Sequence, residues 1–445
     1  MKMNDRQIKK IIDLYNIHDK ESFLSFLSNN NEELSIINLS RIAELMNNNR
    51  VDTAAYYTDL ETLNYLESAL PIINKETIRV LEPSVGVGNF LNIIIKKYSY
   101  APRLIIDVND IDINSLDITK ILNLYREIPE NVEINYLSSD FLFLEIKEKY
   151  DLVIGNPPFI RLTKEKKLDE YSSVFKDETT KNIAGFFIQK SLSIGDYVVM
   201  ILPKYFLSNP DFSLTRDRVS NYAIDRIIDF GEKGFKGVLI ETIAICIDKN
   251  KCIDQTECIS VTNNIKNIQP QSKLVSDEYP YWLMYRDSFF DEISSKMKFN
   301  IFSVFRDRQL TNSKLSIDGE IRVLKSRNIK RDGTGIIDIE NYDSYIKEQV
   351  ASKLSVWNYY EKEDVYLSPN MTYYPRVIKK PKDVLMNGSV AVLENISNYE
   401  VKDEHLLFLS SPTFEKYYRI ARNYSTRSLN IDSNSVYFFG LYDEI

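Results

Sequence analysis

Val80-Leu-Glu-Pro-Ser-Val-Gly-Val-Gly-Asn-Phe90 reads as a short apolar strand, a tight turn carrying two glycines, and the start of a helix. Glycines in such a turn let the backbone approach a ligand closely and take up dihedrals that other residues avoid. Outward from this stretch, β-rich runs recur at Ile78–Leu81, Leu104–Val108, Val132–Tyr136, Leu152–Ile154, Val198–Leu202, Ile227–Asp229 and Ile243–Ile247. Helix-period segments lie between most of them, including Phe90–Lys97, Asn114–Tyr125 and Ile183–Leu192. The alternation predicts an α/β domain: a mainly parallel sheet, helices on both faces, and ligands at the carboxyl ends of the strands.

Residues 1–50 have helical periodicity throughout and form an expected N-terminal helical segment. The α/β pattern occupies 51–250. A polar stretch from Asp248 to Asp254 then marks the expected boundary, and 251–445 reads as a second, α+β domain rich in Tyr, Asn and Ser. A chain of 445 residues with 44% hydrophobic and 27% charged residues has the balance of a folded multidomain protein rather than a disordered one. No apolar run approaches the ~20 residues of a membrane-spanning helix, and MKMNDRQIKKIIDLYN lacks the apolar core of a signal peptide. Three cysteines are too few for a disulfide framework and fit a reducing cytoplasm. Two histidines nearly exclude His-based metal sites and triads, so no metal is expected and the chemistry must use other groups.

Four strand ends carry the candidate chemistry. Glu82 with Gly86 and Gly88 suits a cationic amino-acid ligand better than a diphosphate, since neither G-x-G-x-x-G nor a phosphate-loop lysine is present. Asp110, at the end of the next strand, can accept hydrogen bonds from both hydroxyls of a ribose, while Asp112 caps the following helix. In Ser138-Ser-Asp140-Phe141, an acid followed by an aromatic suits an adenine amino group and ring. Asp151-Leu-Val-Ile-Gly-Asn156-Pro157-Pro158-Phe159 decides among these readings. The Asn156 side-chain oxygen and the Pro157 carbonyl can both accept from one exocyclic amino group, with the prolines stiffening the backbone. Holding both hydrogens lets a delocalised nitrogen become tetrahedral and frees its lone pair for an electrophilic methyl, while Phe159 stacks on the ring. No titrating base is needed for that step.

With these residues the chain resembles the gamma-class DNA N6-adenine methyltransferases of type II restriction-modification systems, which use S-adenosylmethionine. The resemblance is strong over 55–250 and weaker beyond. It implies a Rossmann-like methyltransferase domain with a mainly parallel seven-stranded sheet, followed by a target-recognition domain. It places Tyr57 and Thr58 in the cofactor segment, Phe187 over the cofactor, and Phe235 on a target base rotated out of the duplex alongside Phe159. It assigns cofactor contacts to Glu82, Gly86, Gly88, Asp110, Asp140, Phe141 and Asn156, and catalysis to Asn156, Pro157 and Phe159. Double-stranded DNA is the implied partner. A separate restriction endonuclease is one the resemblance allows, a monomer is favoured, and no membrane is involved. Protein glutamine or RNA adenine as substrate, and a non-catalytic specificity subunit, are the alternatives.

The formal charge of -8 is not that of a general nucleic-acid binder, but the bases of the C-terminal part cluster. Arg322, Lys325, Arg327, Lys330 and Arg331 form one group, and Arg376, Lys379 and Lys380 another; both are expected to face DNA phosphates.

Overall fold

Strand β1 (Thr77–Glu82) pairs in parallel with a neighbour on each side, β2 (Arg103–Asp110) and β4 (Tyr150–Gly155). β4 is buried along its whole length and β2 along most of it, as strands covered on both faces by helices must be. β3 (Val132–Ser138) lies outside β2, and β5 (Gly195–Pro203) lies beyond β4. β6 (Ala223–Gly231), β7 (Thr242–Asp248), β8 (Gln255–Ser260) and β9 (Ile265–Pro270) complete the sheet. The structure, a computed structural model, describes residues 3–29, 33–46, 60–232, 240–370, 372–425 and 429–443. Among these the strand order is β3-β2-β1-β4-β5-β7-β6-β8-β9. β7 runs antiparallel to both β5 and β6.

The seven strands read from the sequence are all present, and β8 and β9 extend them to a sheet of nine. The boundary expected after residue 250 is corrected accordingly: the chain divides into two compact units, Met1–Ser272 and Lys273–Ile445. The polar stretch 248–254 is a turn inside the first unit, where Asp248 accepts from the Asn250 N–H at 2.9 Å before β8 pairs in parallel with β6. β8 is hard to read because its buried positions are Thr256, Cys258 and Ser260, small or polar rather than aliphatic.

The N-terminal residues form α1 (Asp5–Leu14), α2 (Lys20–Ser28) and α3 (Ile36–Met46). Asn4 and Asp19 open the first two helices with reciprocal capping boxes. Their apolar faces, including Ile8, Phe23, Leu39 and Ile42, share one core with Val87, Ile118 and Leu122 of the α/β sheet's own turns and helices. These helices therefore belong to the first unit rather than standing apart from it.

The second unit has the expected α+β character. Phe302–Phe305, Val390–Asn395, Val365–Pro369 and Ile378–Lys379 form an antiparallel sheet in that order. Ser344–Ile346, Ile321–Leu324 and Val384–Met386 form a smaller mixed one. Helices Ser288–Ser295, Asp403–Leu409 and Pro412–Ala421 accompany them. Among the described residues no helix is long and apolar enough to cross a membrane.

Candidate active site

The order of the strands reverses at β1: β2 and β3 lie to one side of it, and β4 and β5 to the other. Such a point opens a crevice outside the carboxyl ends of the strands. Glu82 closes β1 there, and the turn after it is held on every side. The Val85 N–H donates to the Asn109 carbonyl at 2.9 Å and the Gly88 N–H to the Val85 carbonyl at 2.8 Å. The Gly86 N–H donates to Asp110 Oδ2 at 2.9 Å, and Thr119 Oγ1 donates to the Gly86 carbonyl at 2.8 Å. Gly86 and Gly88 have φ of 54° and 76°, the left-handed region that suits glycine. A Cβ on Gly88 would also lie 2.9 Å from Thr119 Cγ2.

Arg126 was not legible as part of this site. It is buried behind the turn and donates to the Gly88 carbonyl at 3.0 Å and to Asn92 Oδ1 at 2.7 Å. Burial pushes its guanidinium down to about 10, against the pull of Glu82. Glu82 is 1% exposed, and its Oε2 has no hydrogen-bond partner among the described residues. Burial drives its carboxyl well above the usual range; Arg126 opposes this and Asp110 adds to it. Burial also raises Asp110, although its Oδ1 accepts from the Asp112 N–H at 2.9 Å and its Oδ2 from Gly86. Asp112 caps the next helix, as expected, by accepting from the Asn114 N–H at 3.0 Å. Ile111, between the two acids, is 69% exposed, an apolar side chain left in water beside the strand ends.

Asn109 ties the strand ends together through its side chain, donating to the carbonyls of Pro83 at 3.1 Å and Ser139 at 3.0 Å. Asp140 follows. Its Oδ1 accepts from the Leu142 N–H at 3.1 Å, and its Oδ2 from Tyr171 at 2.8 Å and Lys167 at 3.2 Å. Phe141 and Phe187 are buried together with ring centroids 5.0 Å apart, in a core shared with Leu81, Val153 and Phe186. Lys190, one helical turn beyond Phe187, donates to the carbonyls of Leu142 and Leu144 at 3.1 and 2.5 Å. Burial lowers its ammonium to about 8. The turn bearing Asp140 is thus braced by the helix Ile183–Ile194.

Asn156 stands immediately after β4, followed by Pro157, Pro158 and the buried Phe159. β4 ends on Gly155 because a Cβ there would lie 3.1 Å from the Pro83 ring. Ser84 Oγ donates to the Asn156 carbonyl at 3.3 Å, so the glycine turn and the Asn-Pro-Pro-Phe turn are joined. Beyond Phe159, the Ile160 carbonyl accepts from Ile183 at 3.0 Å and the Leu162 N–H donates to Lys181 at 2.7 Å, fixing the strap to the same helix. Farther along the edge, Lys204 is buried between Asp229 at 2.8 Å and Glu241 at 3.0 Å, a network whose members are too far apart in sequence to suggest it. Cys246 and Cys258 are buried with thiols pushed up to about 12, so neither is a poised nucleophile. Tyr57, Thr58 and Phe235 lie outside the described residues.

The second unit sorts the expected DNA-facing bases. Four of them already have partners within the unit. Arg322 pairs with Asp338 at 2.6 Å and Asp343 at 3.0 Å. Lys325 donates to Ser344 Oγ at 2.9 Å and sits 4.0 Å over the Tyr342 ring. Arg376 donates to Thr372 Oγ1 and to the carbonyls of Ser326, Ile329 and Tyr374, all at 3.0–3.1 Å. Lys380 is buried and donates to the Tyr360 and Pro381 carbonyls at 2.8 and 3.2 Å. Lys379 is exposed beside Asp364 at 3.7 Å. Arg327, Lys330 and Arg331 are exposed on a groove of about 660 Å³ that Tyr373 and Tyr374 also line. Arg331 lies 3.7 Å over the Tyr374 ring.

Residues 30–235 match the family described as Eco57I restriction-modification methylase, a span containing all four strand-end motifs. The chain is 27% identical over 275 residues to the type II methyltransferase M.VspI of Vibrio sp. (strain 343), covering 60% of this chain and 65% of that protein. It is 24% identical over 255 residues to the type II methyltransferase M.AccI of Acinetobacter calcoaceticus, covering 52% of this chain and 43% of that protein. The matches thus span less than two thirds of these curated relatives. Among solved structures, the type IIG restriction endonuclease BpuSI shares the fold across 92% of this chain and 61% of its own, with a TM-score of 0.50 at 14% identity.

Because Gly88 combines a left-handed backbone with a close neighbour, Gly88→Ala is expected to cost ~1–2 kcal/mol or more of stability. Chemical denaturation measures this, and an unshifted midpoint would mean the turn relaxes freely.

Proposed function

We propose that this chain is a modification methyltransferase that moves the methyl group of S-adenosylmethionine to N6 of an adenine rotated out of double-stranded DNA. The observation that carries the reading is the joint of two turns: Asn156-Pro157-Pro158-Phe159 leaves β4 tied through Ser84 to the glycine turn after Glu82. One turn suits an amino-acid cofactor and the other an aromatic amine. The match of 30–235 to the restriction-modification methylases supports the same assignment.

The residues present fit S-adenosylmethionine. Glu82 offers a buried carboxylate oxygen that has no hydrogen-bond partner among the described residues, which suits an ammonium group. Gly86 and Gly88 let the backbone come close to the ligand. Asp110, already oriented by two backbone N–H groups, keeps lone pairs for ribose hydroxyls. Ile111 supplies an apolar surface for the adenine, and Asp140 an acceptor for its amino group, with Phe141 and Phe187 packed beneath. Tyr57 and Thr58 join this set on the strength of the resemblance alone. When bound, S-adenosylmethionine supplies a methyl group on a sulfonium, ready for in-line displacement.

The protein's part is to prepare the nucleophile. Asn156 Oδ1 and the Pro157 carbonyl accept the two N6 hydrogens of the target adenine, turning its lone pair out of conjugation; once methylated, N6 loses one of these protons to solvent. Phe159 stacks on the ring, and Phe235 takes the other face by resemblance. Stacking recovers part of the few kcal/mol spent in unpairing the base. Asn156→Ala should abolish transfer of labelled methyl from S-adenosylmethionine to duplex DNA while both ligands still bind. Retained turnover would remove Asn156 from the chemistry.

DNA lies on the second unit along the groove edged by Arg327, Lys330 and Arg331, with Lys379 a further exposed base. A separate restriction endonuclease completes the system, the enzyme works as a monomer, and it acts in the cytoplasm where its DNA is. Replacing Arg327, Lys330 or Arg331 with Ala should weaken DNA binding and reduce the salt slope by about 1 each. Arg376→Ala should lower stability instead, since its donors hold the groove's own backbone. Binding titrations across a salt series distinguish the two groups, and an unchanged slope for all three surface variants would move DNA elsewhere.

A further inference from the structure

The glycine turn is held from within the sheet by Asp110, Thr119 and Arg126. It is also held from the outside, by the N-terminal helices. Glu44 of α3 is 4% exposed, and its Oε1 accepts from Asn89 Nδ2 at 2.6 Å. Asn89 is the first residue of the helix Asn89–Tyr98 and follows Gly88 directly. The other Glu44 oxygen accepts from Arg41 at 2.6 Å. Arg41 in turn grips both carboxylate oxygens of Asp5 on α1, at 3.0 and 2.7 Å. Val87, between the two glycines, is 2% exposed and packs in the same core as Ile8, Phe23 and Leu39.

We infer that α1–α3 position the glycine turn for cofactor binding, and that Glu44 is the positioning residue, acting through Asn89. This rests on reading the turn as the cofactor cradle. Three features separate it from ordinary packing. A buried carboxylate is costly to desolvate, and an aliphatic side chain would fill the same space at lower cost. The Glu44 bond is directional and ends on the residue where the turn becomes a helix, so it sets the exit of the turn as β1 sets its entry. The Arg41–Asp5 pair then fixes the direction of Glu44 from a third helix. Sequence places Glu44 and Asn89 forty-five residues apart, with nothing in either to suggest the other.

Coupling of this kind is reciprocal: if α1–α3 favour the bound form of the turn, the cofactor must favour the docked form of α1–α3. Calorimetric titration of S-adenosylmethionine into the full chain tests the inference. One hydrogen bond to a charged group corresponds to about a tenfold rise in Kd, expected for Glu44→Ala and for Asn89→Ala. Glu44→Gln keeps the acceptor for Asn89 and should restore most of the affinity. Affinity for duplex DNA should be unchanged in all three, because general loss of structure would lower both. Should Glu44→Ala fail to fold, Asn89→Ala decides alone. Wild-type cofactor affinity in the Ala variants, or an equal loss of DNA affinity, overturns the inference while leaving the cofactor reading standing. A wild-type chain that binds no S-adenosylmethionine overturns that reading, and the inference with it.

Discussion

A carboxylate that is buried from water, with one oxygen that finds no hydrogen-bond partner among the described residues, sits at the end of the strand where the sheet reverses its order. Glu82 is in that position because β1 is flanked by parallel neighbours on both sides, which bury its last residue as thoroughly as its first apolar ones. Much of the surrounding structure makes this tolerable. Arg126 is brought under the turn at the cost of its own hydration, and Gly86 and Gly88 bend the chain away without adding side chains. Asp110, a second acid drawn into the same crevice, is held by two backbone N–H groups. A cluster of acids with little solvent is poorly matched to an empty crevice and well matched to a cationic occupant.

The same edge of the sheet places a different chemistry one strand away. β4 delivers Asn156 and its prolines beside the turn of β1, and the close approach of Gly155 to Pro83 keeps the two turns together. The strap that follows is pinned to the helix carrying Phe187 and Lys190, which also braces the turn bearing Asp140. Displacing that helix would therefore move the turn bearing Asp140 and the turn bearing Asn156 at once.

How much of this was legible in the sequence follows from distance along the chain. β1, β2, β4 and the turns after them could be read, because apolar runs and the residues that end them are contiguous. Asp112 declared itself as a cap by standing before a helical pattern. β8 was missed because its buried positions are Thr256, Cys258 and Ser260. The partners of the second basic cluster are hidden for a related reason: Arg376 and Lys380 look solvated beside Lys379, yet they donate to backbone carbonyls, some of them about fifty residues away. Arg126, Lys204 and Glu44 were invisible alike, each a charged residue whose partners only the fold brings near. Periodicity and local motifs report on neighbours in sequence, whereas buried polar networks are made by residues remote in it.

The central claim is that these turns present a methyl group to an adenine amine in DNA. Modification-sensitive sequencing of DNA from a methylation-free host expressing the chain tests it most directly. The account predicts N6-methyladenine at one recurring sequence motif. Unmodified adenine throughout, in cells where the folded chain binds both S-adenosylmethionine and DNA, would contradict it.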